Sequence, residues 1–364
     1  MTEVATGLLY PWSLAFLPDG RMLITERTGR LHIRSADGSV VNGGDDTVCC
    51  VPAVASAGQG GLLDVALDPA FATNKRIYMT IAERDAAVPA LNGVAVLRAV
   101  LDADRRTLAN VTVIYRQEPK VANSEAHFGS RLAFDNQGYL FVTMGERLLD
   151  SQRGFAQDLT RGNGKVVRIT TEGGAAPGNP NFGVPGAQPA IWSYGHRNPQ
   201  GAAMRPGTNQ LWTNEHGPQG GDEVNLTQAG RNYGWPVISY GQEYGGLTQV
   251  GEGTAKAGME QPAAYWEKRD GSAWTPGTQK SSIAPSGMAF YSASNIPEWQ
   301  GNLFVGALAG AALWRLTLNG DTVVSRERLL AERVERIRDV RQGPDGWLYV
   351  LTDGASGKLL RLTR

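Results

Sequence analysis

Six times along the chain an apolar pair leads into a turn of Pro, Asp, Asn or Gly. An apolar run ending near Thr or Gly follows. The phrase reads WSLAFLPDGRMLITER from Trp12, LLDVALDPAFATNKRIYMTIAE from Leu62 and SRLAFDNQGYLFVTMGER from Ser130. It returns as PQGAAMRPGTNQLWTNEHG from Pro199, PSGMAFYSASNIPEWQGNLFVGALAG from Pro285 and IRDVRQGPDGWLYVLTDGASG from Ile337. Several copies are followed by a further strand-like run, such as GRLHIR, GKVVRIT, AALWRLTL and GKLLRLTR. Alternation around a Gly-containing turn predicts strand–turn–strand in each copy. No stretch keeps a 3.6-residue period, so long helices are not expected.

A strand pair cannot bury its apolar face alone, so the copies must stack. Six copies give roughly 60 residues per unit, longer than the ~40–50 of common propeller repeats. A linear β-solenoid would have shorter, more even repeats. The pattern therefore predicts an all-β fold: a six-bladed β-propeller of four-stranded antiparallel blades. Residues 1–364 are expected to form one domain, its extra length spent on loops at one face. The largest loop is expected at about 217–285, where function on a rigid scaffold is often carried.

Composition sharpens this. Of 364 residues, 46 are glycine and 19 proline, about 18% together, above the usual share of roughly 12%. That suits many tight turns. Lys and Arg number 35 and so do Asp and Glu, which argues against nucleic acid and against a polybasic membrane anchor. No run approaches the ~18 apolar residues of a membrane span, so no membrane insertion is expected. Met1 to Tyr10 has no basic region followed by an apolar one. The sequence reads either as cytoplasmic or as a mature chain whose leader has been removed. The only cysteines, Cys49 and Cys50, are adjacent. They cannot frame a zinc site, and strain in a bridge between neighbours favours free thiols.

Four histidines are available for chemistry. His32, in GRLHIR, reads as a strand-face residue. His127, in the polar stretch NSEAHFGSRLAF, reads either as a loop residue or as a general base. In IWSYGHRNPQG, His196, Arg197 and Asn198 stand between Gly195 and Pro199. They form either a rigid three-pronged site, with Arg197 suited to a developing oxyanion, or an ordinary loop. His216 falls in NEHGPQGGDEVNL. There Glu215, Asp222 and Glu223 read either as oxygen ligands for calcium or as a turn-capping network. Arg336 and Arg338 lie two apart beside apolar Ile337. In a strand they would share a face and meet one anion. No dinucleotide fingerprint, P-loop, nucleophile elbow or HExxH occurs. Arginines, a loop histidine and oxygen-rich loops suit an anionic cofactor held with a divalent ion.

The segments GQGGLLDVALDP, HFGSRLAF, GHRNPQG, EHGPQGGDEVNL, GRNYGWP, PSGMAFY and RIRDVRQGPDG occur in this order from Pro11 to the C-terminus. Together they resemble the soluble quinoprotein glucose/sorbosone dehydrogenases, and most closely their aldose sugar dehydrogenase branch. The resemblance implies oxidation of aldose sugars at C1 to lactones, with pyrroloquinoline quinone (PQQ) and Ca²⁺ as cofactors. Hydride would pass to C5 of the quinone, and the electrons would go on to an external acceptor. It implies that His127 is the base, with Glu146 as its acidic partner, and that Arg197 and Asn198 face the quinone carbonyls. By the same resemblance Gln59 and Tyr244 contact the cofactor, and Arg336 and Arg338 pair with its carboxylates. Gly217 and Pro218 would offer carbonyls to the cofactor's calcium, and Glu223 and Tyr233 would bind a second, structural calcium. A periplasmic or secreted location is implied, which makes a Cys49–Cys50 bridge more credible. In one departure, Ala309 stands where the family often has a lysine facing the cofactor. Lys268 and Lys280, in the segment 265–287, are possible replacements. The contrasting expectation is a calcium-binding propeller without redox chemistry, either a lactonase or a ligand-binding module.

Overall fold

The computed structural model describes residues 1–40 and 44–363. Six antiparallel sheets follow one another along the chain. Each opens with an inner strand on one of the repeated phrases: Pro11–Phe16, Leu62–Leu67, Gly129–Phe134, Pro199–Met204, Pro285–Phe290 and Ile337–Gln342. Adjacent inner strands contact each other around the ring. The fold is thus the six-bladed propeller. The second strands Leu140–Met144, Leu303–Ala307 and Leu348–Thr352 are buried at every position. Packed on both faces, they read as unbroken apolar runs rather than alternating ones. The core lies between blades. Trp212 and Trp266 of the fourth blade, for example, pack with Met288 and Trp314 of the fifth.

The blades are not uniform. The first has three strands, with Thr47 bridging His32 beyond them, and the second gains a short extra strand, Val121–Ala122. The last blade takes its outer strand from the other end of the chain: Thr2–Leu8 pairs with Gly357–Leu362, from Thr2↔Arg361 to Leu8↔Gly357. This closes the ring.

Residues 217–285 are not one loop. They contain two strands of the fourth blade, Asp222–Thr227 and Ala264–Trp266. After Thr227 the chain climbs beside the outer strand of the third blade, with a parallel bridge Tyr194↔Asn232 and a Trp235 N–Gly195 O bond of 2.9 Å. That path brings Trp235 and Tyr244 to Arg197.

Cys49 and Cys50 are joined as a vicinal disulfide, contrary to the free thiols expected. Backbone bonds tie Cys49 to Arg106 and Leu108, and Cys50 turns sharply with φ of 75°. The pinned turn brings the two side chains together.

One irregularity recurs. In all six blades the register slips near the start of the inner strand: at Pro11/Ser13, Leu62/Val65, Gly129/Leu132, Pro199/Gly201, Pro285/Met288 and Ile337/Asp339. Bulges of this kind re-aim side chains at the rims of closed sheets. Here Trp12, Leu63, Gly129, Gln200 and Arg338 lie at or beside slips and line one central cavity.

Candidate functional site

The cavity encloses about 270 Å³. Its floor is an ion network on three inner strands. Arg131 Nη1 lies 3.3 Å from Asp64 and 3.0 Å from Asp339. Arg341 lies 3.0 Å from each of the same two carboxylates. Buried Arg131 and half-buried Arg341 balance two buried anions, so the network plugs the channel without net charge. Arg131 also donates to the carbonyls of Gln200 and Arg338 and stacks 4.0 Å under the Trp12 ring. It therefore fixes three cavity residues from below.

The sequence-predicted residues fall into three groups. His127, Glu146, Gln59, Arg197 and Asn198 form one connected set. His127 has φ of 50°, followed by Gly129 at 67° and Ser130 at 85°. Gly145 permits this tight turn, because a Cβ there would lie 2.0 Å from the His127 carbonyl. Gln59 Oε1 accepts from the His127 amide at 2.9 Å, and His127 Nδ1 lies 2.8 Å from Glu146 Oε2. Glu146 N donates to the Arg197 carbonyl, and Asn198 Oδ1 accepts from Gly129 N. Burial pushes the His127 imidazole below its ordinary value, with Glu146 opposing and Arg197 reinforcing the shift. Glu146 is held below the usual carboxylate range by His127 and Arg197, against its burial. A neutral imidazole beside an ionised carboxylate is a base whose protonated form is stabilised.

Arg336 and Arg338 form the second group. Both line the cavity, although Arg336 precedes the strand Ile337–Gln342 and Arg338 lies at its register slip. Arg336 makes two 2.9 Å bonds to Asp353, and Arg338 donates to Gln200 Oε1 at 3.0 Å. Burial lowers the Arg338 guanidinium to about 10. Arg341, from the same charged run, belongs to the plug instead.

The third group surrounds a small void of about 20 Å³, lined by Glu215, Glu223, Gly217 and Tyr233 among others. Such a void holds one water or ion. Burial and the charge of neighbouring Glu215 raise the Glu223 carboxyl well above its ordinary value. That is the signature of a site wanting a proton or a cation. The Gly217 carbonyl accepts from Arg197 Nη1 at 2.6 Å, and Arg197 Nη2 donates to the Tyr244 hydroxyl at 3.1 Å. The Tyr233 hydroxyl is taken up by Leu226 O and Gln228 N. Pro218 packs against Gly241 in the same turn. Among the described residues no three His, Cys, Asp or Glu side chains converge as a metal site, so a cation here would depend partly on carbonyls.

Several expectations resolve differently. His196 is a structural residue: it bonds Glu215 at 2.8 Å and Ser193 at 2.9 Å and stacks on Tyr233. Asp222 caps backbone, accepting from Gly217, Ile283 and Ala284 amides. Lys268 donates to Gln279 O, while Lys280 donates to Tyr240 O and pairs with Glu267. Neither lines the cavity. His32 does sit on a strand, Arg30–Arg34, as read from the sequence, and there it lies between Asp46 at 2.8 Å and Glu26 at 3.2 Å. Sequence reasoning missed Trp12, Arg27, Gln200 and Asp353, which line the cavity. Their common signal was position within the repeated phrase.

Comparison with known proteins gives a consistent result. The chain matches the Glucose / Sorbosone dehydrogenase family over residues 8–361. It is 46% identical to the aldose sugar dehydrogenase YliI of Escherichia coli K12, over 97% of this chain and 90% of that protein. It is 27% identical to quinoprotein glucose dehydrogenase B of Acinetobacter calcoaceticus, over 97% and 85%. The crystal structure of the soluble E. coli aldose sugar dehydrogenase in its apo form superposes with a TM-score of 0.88 at 44% identity, covering 99% of this chain and 98% of that one. The PQQ-bound aldose sugar dehydrogenase of Streptomyces coelicolor gives 0.78 at 28%, covering 99% and 96%. With the family matched over residues 8–361 and the fold shared over nearly the whole chain, this chain belongs to the glucose/sorbosone dehydrogenase family.

Proposed function

We propose that the protein oxidises aldose sugars at C1 to lactones, using PQQ and Ca²⁺ and passing electrons to an external acceptor. The observation that carries this reading is the buried His127–Glu146 pair set beside an arginine-lined cavity. The cavity fits a rigid anion bearing carbonyls and carboxylates. Asn198 Nδ2 and Arg338 Nε are sealed from water and lack a partner among the described residues. A ligand of that chemistry satisfies such donors. PQQ, when bound, supplies the hydride acceptor.

The protein's own residues do the rest. His127 removes the C1 hydroxyl proton at Nε2, since Nδ1 is engaged by Glu146. Glu146 keeps the ring oriented and stabilises the imidazolium. Arg197 and Asn198 offer donors to negative charge developing on the acceptor's oxygen. Gln59 holds the His127 backbone. Arg336 and Arg338 pair with carboxylates, where a guanidinium fork is favoured. Tyr244 adds an exposed ring beside Arg197. Calcium is assigned to the turn bearing Gly217 and Pro218, and to the void at Glu223 and Tyr233, where two carboxylates offset its charge. No helix among the described residues is long and apolar enough to cross a membrane. A vicinal disulfide suits an oxidising compartment, in keeping with a periplasmic or secreted protein.

The test is dye reduction by protein reconstituted with PQQ and Ca²⁺, across a panel of aldoses, with His127→Ala losing most of the rate. Failure to bleach the dye with any aldose refutes the reading. Failure of PQQ to give a saturable absorbance change points instead to a calcium-binding propeller without redox activity.

A further inference from the structure

The charged groups lining the central cavity do not balance. They are Arg27, Arg336, Arg338 and Asp353. Asp353 is bonded twice by Arg336 and lies 3.8 Å from Arg338. Arg27 has no carboxylate within ion-pairing distance among the described residues. Its Nη1 donates to the Gly58 carbonyl at 2.6 Å, and its guanidinium sits 5.0 Å from the Tyr10 ring. Its Nε is shut off from water with no partner among the described residues. Ala309 brings no charge, and Lys268 and Lys280 are engaged elsewhere.

Arg27 is also held in place from below. Gly61 has φ of 139°, and a Cβ there would lie 1.9 Å from the Arg27 carbonyl. The turn 58–61 therefore grips the arginine twice, through the Gly58 carbonyl and through the bare Gly61 backbone. The same turn carries Gln59, which bonds the His127 amide. The charge of Arg27 is felt across the cavity, where it helps to lower both Asp353 and Arg338. A half-buried guanidinium fixed at the cavity wall without a carboxylate partner is placed to pair with an anion that enters.

We infer that Arg27 is a ligand-binding residue, supplying a third guanidinium to a polycarboxylate anion held between the first and last blades. This rests on the proposed use of PQQ, whose carboxylates are the partners. It predicts binding through charge-assisted bonds to three arginines, with Arg27 steered by the same turn that positions the base.

The experiment is an absorbance and fluorescence titration of apoprotein with PQQ in the presence of Ca²⁺. Wild type, Arg27→Gln, Arg27→Lys and a control, Arg84→Gln, are compared at two salt concentrations. Arg84 is exposed and lies outside the cavity. Loss of one charge-assisted contact is expected to weaken PQQ binding about 10- to 100-fold in Arg27→Gln. Salt dependence should be shallower there. Arg27→Lys keeps the charge without the fork and should be intermediate, and the control should match wild type. Wild-type affinity and salt dependence in Arg27→Gln overturn the inference while leaving the proposed function intact. An absence of saturable PQQ binding in wild type overturns both. If Arg27→Gln does not fold, Arg27→Lys decides. Weakened binding at an unchanged unfolding midpoint supports the assignment, and collapse of both variants makes Arg27 structural and overturns it.

Discussion

Replacing Glu146 by glutamine separates charge from geometry at the base. Two donors converge on Glu146 Oε2: His127 Nδ1 at 2.8 Å and Leu148 N at 3.2 Å. Both require an acceptor, so in Glu146→Gln the amide oxygen must take that place. The imidazole then keeps its tautomer and its orientation, and only the negative charge is lost. Because burial holds His127 neutral before reaction, the loss falls on the transition state, where the imidazolium forms. Two unit charges about 4 Å apart interact by about 4 kcal/mol at an effective dielectric near 20. Exchanging a charged for a neutral acceptor in a hydrogen bond costs about 1–2 kcal/mol. A loss of about 2–4 kcal/mol corresponds to a fall of roughly 30- to 1000-fold in the reductive step. The assay is single-turnover stopped flow, with an aldose deuterated at C1 confirming that the measured step includes hydride transfer. PQQ affinity should be unchanged. Burial holds His127 below the ordinary histidine value of 6.5, and Glu146 is a group that raises it, so the acid limb of kcat/KM should move lower in the variant. A rate within about threefold of wild type refutes the assignment of Glu146. So does an equal loss of PQQ affinity, which would make its role structural.

Other expectations follow from buried groups. Lys165 is buried, donates to the carbonyls of Phe155, Ala156 and Asn163, and is lowered to about 7 from 10.5. Below pH 7 it is protonated folded or unfolded; between about 7 and 10.5 only the unfolded chain holds the proton, so stability rises across that window. Lys165→Met should abolish this rise in denaturant titrations, and should slow turnover, since Ala156 O also receives the Gly195 amide that begins the Arg197 turn. His32, raised by Glu26 and Asp46 against its burial, contributes stability that is complete below pH 6.5 and fades as pH rises through its folded value. His32→Gln should therefore lower the unfolding midpoint at pH 6 and converge on wild type at high pH, and a pH-independent difference would refute the ion pair. Chelation of calcium should lower the unfolding midpoint of wild type more than that of Glu223→Gln, in which the carboxylate pair with Glu215 is gone and only the site at Gly217 and Pro218 remains.

The architecture was legible because the inner strand and its partner repeat as one phrase, and strands buried on both faces read as solid apolar runs. The closing strand Thr2–Leu8 was not legible. Its residues are mostly small or polar, and its partner, Gly357–Leu362, lies at the far end of the chain. The outer half of the fourth blade was misread as a loop because Asp222–Thr227 begins with two acids among glycines, and its edge strand is only three residues long. At the site, Arg336 and Arg338 were readable as a pair beside apolar Ile337, and the His127 set from its motifs. Arg27 was not, since an arginine after a strand usually faces water. What recruits it is a glycine turn some thirty residues further on. The adjacent cysteines show the same limit: local geometry argued against a bridge, but pinning to the second blade imposed one.

The six slipped registers give the protein a modular way to change its ligand. Five of the six blades bring a position at or beside the slip to the shared chamber, where the ladder is already interrupted. Trp12, Leu63, Gln200 and Arg338 have no register partner across the ladder, so exchanging one of them disturbs no cross-strand pair and leaves the other contributions untouched. Ligand preference can thus drift one blade at a time, like changing single digits on a combination lock, while the ladders on either side keep the ring shut.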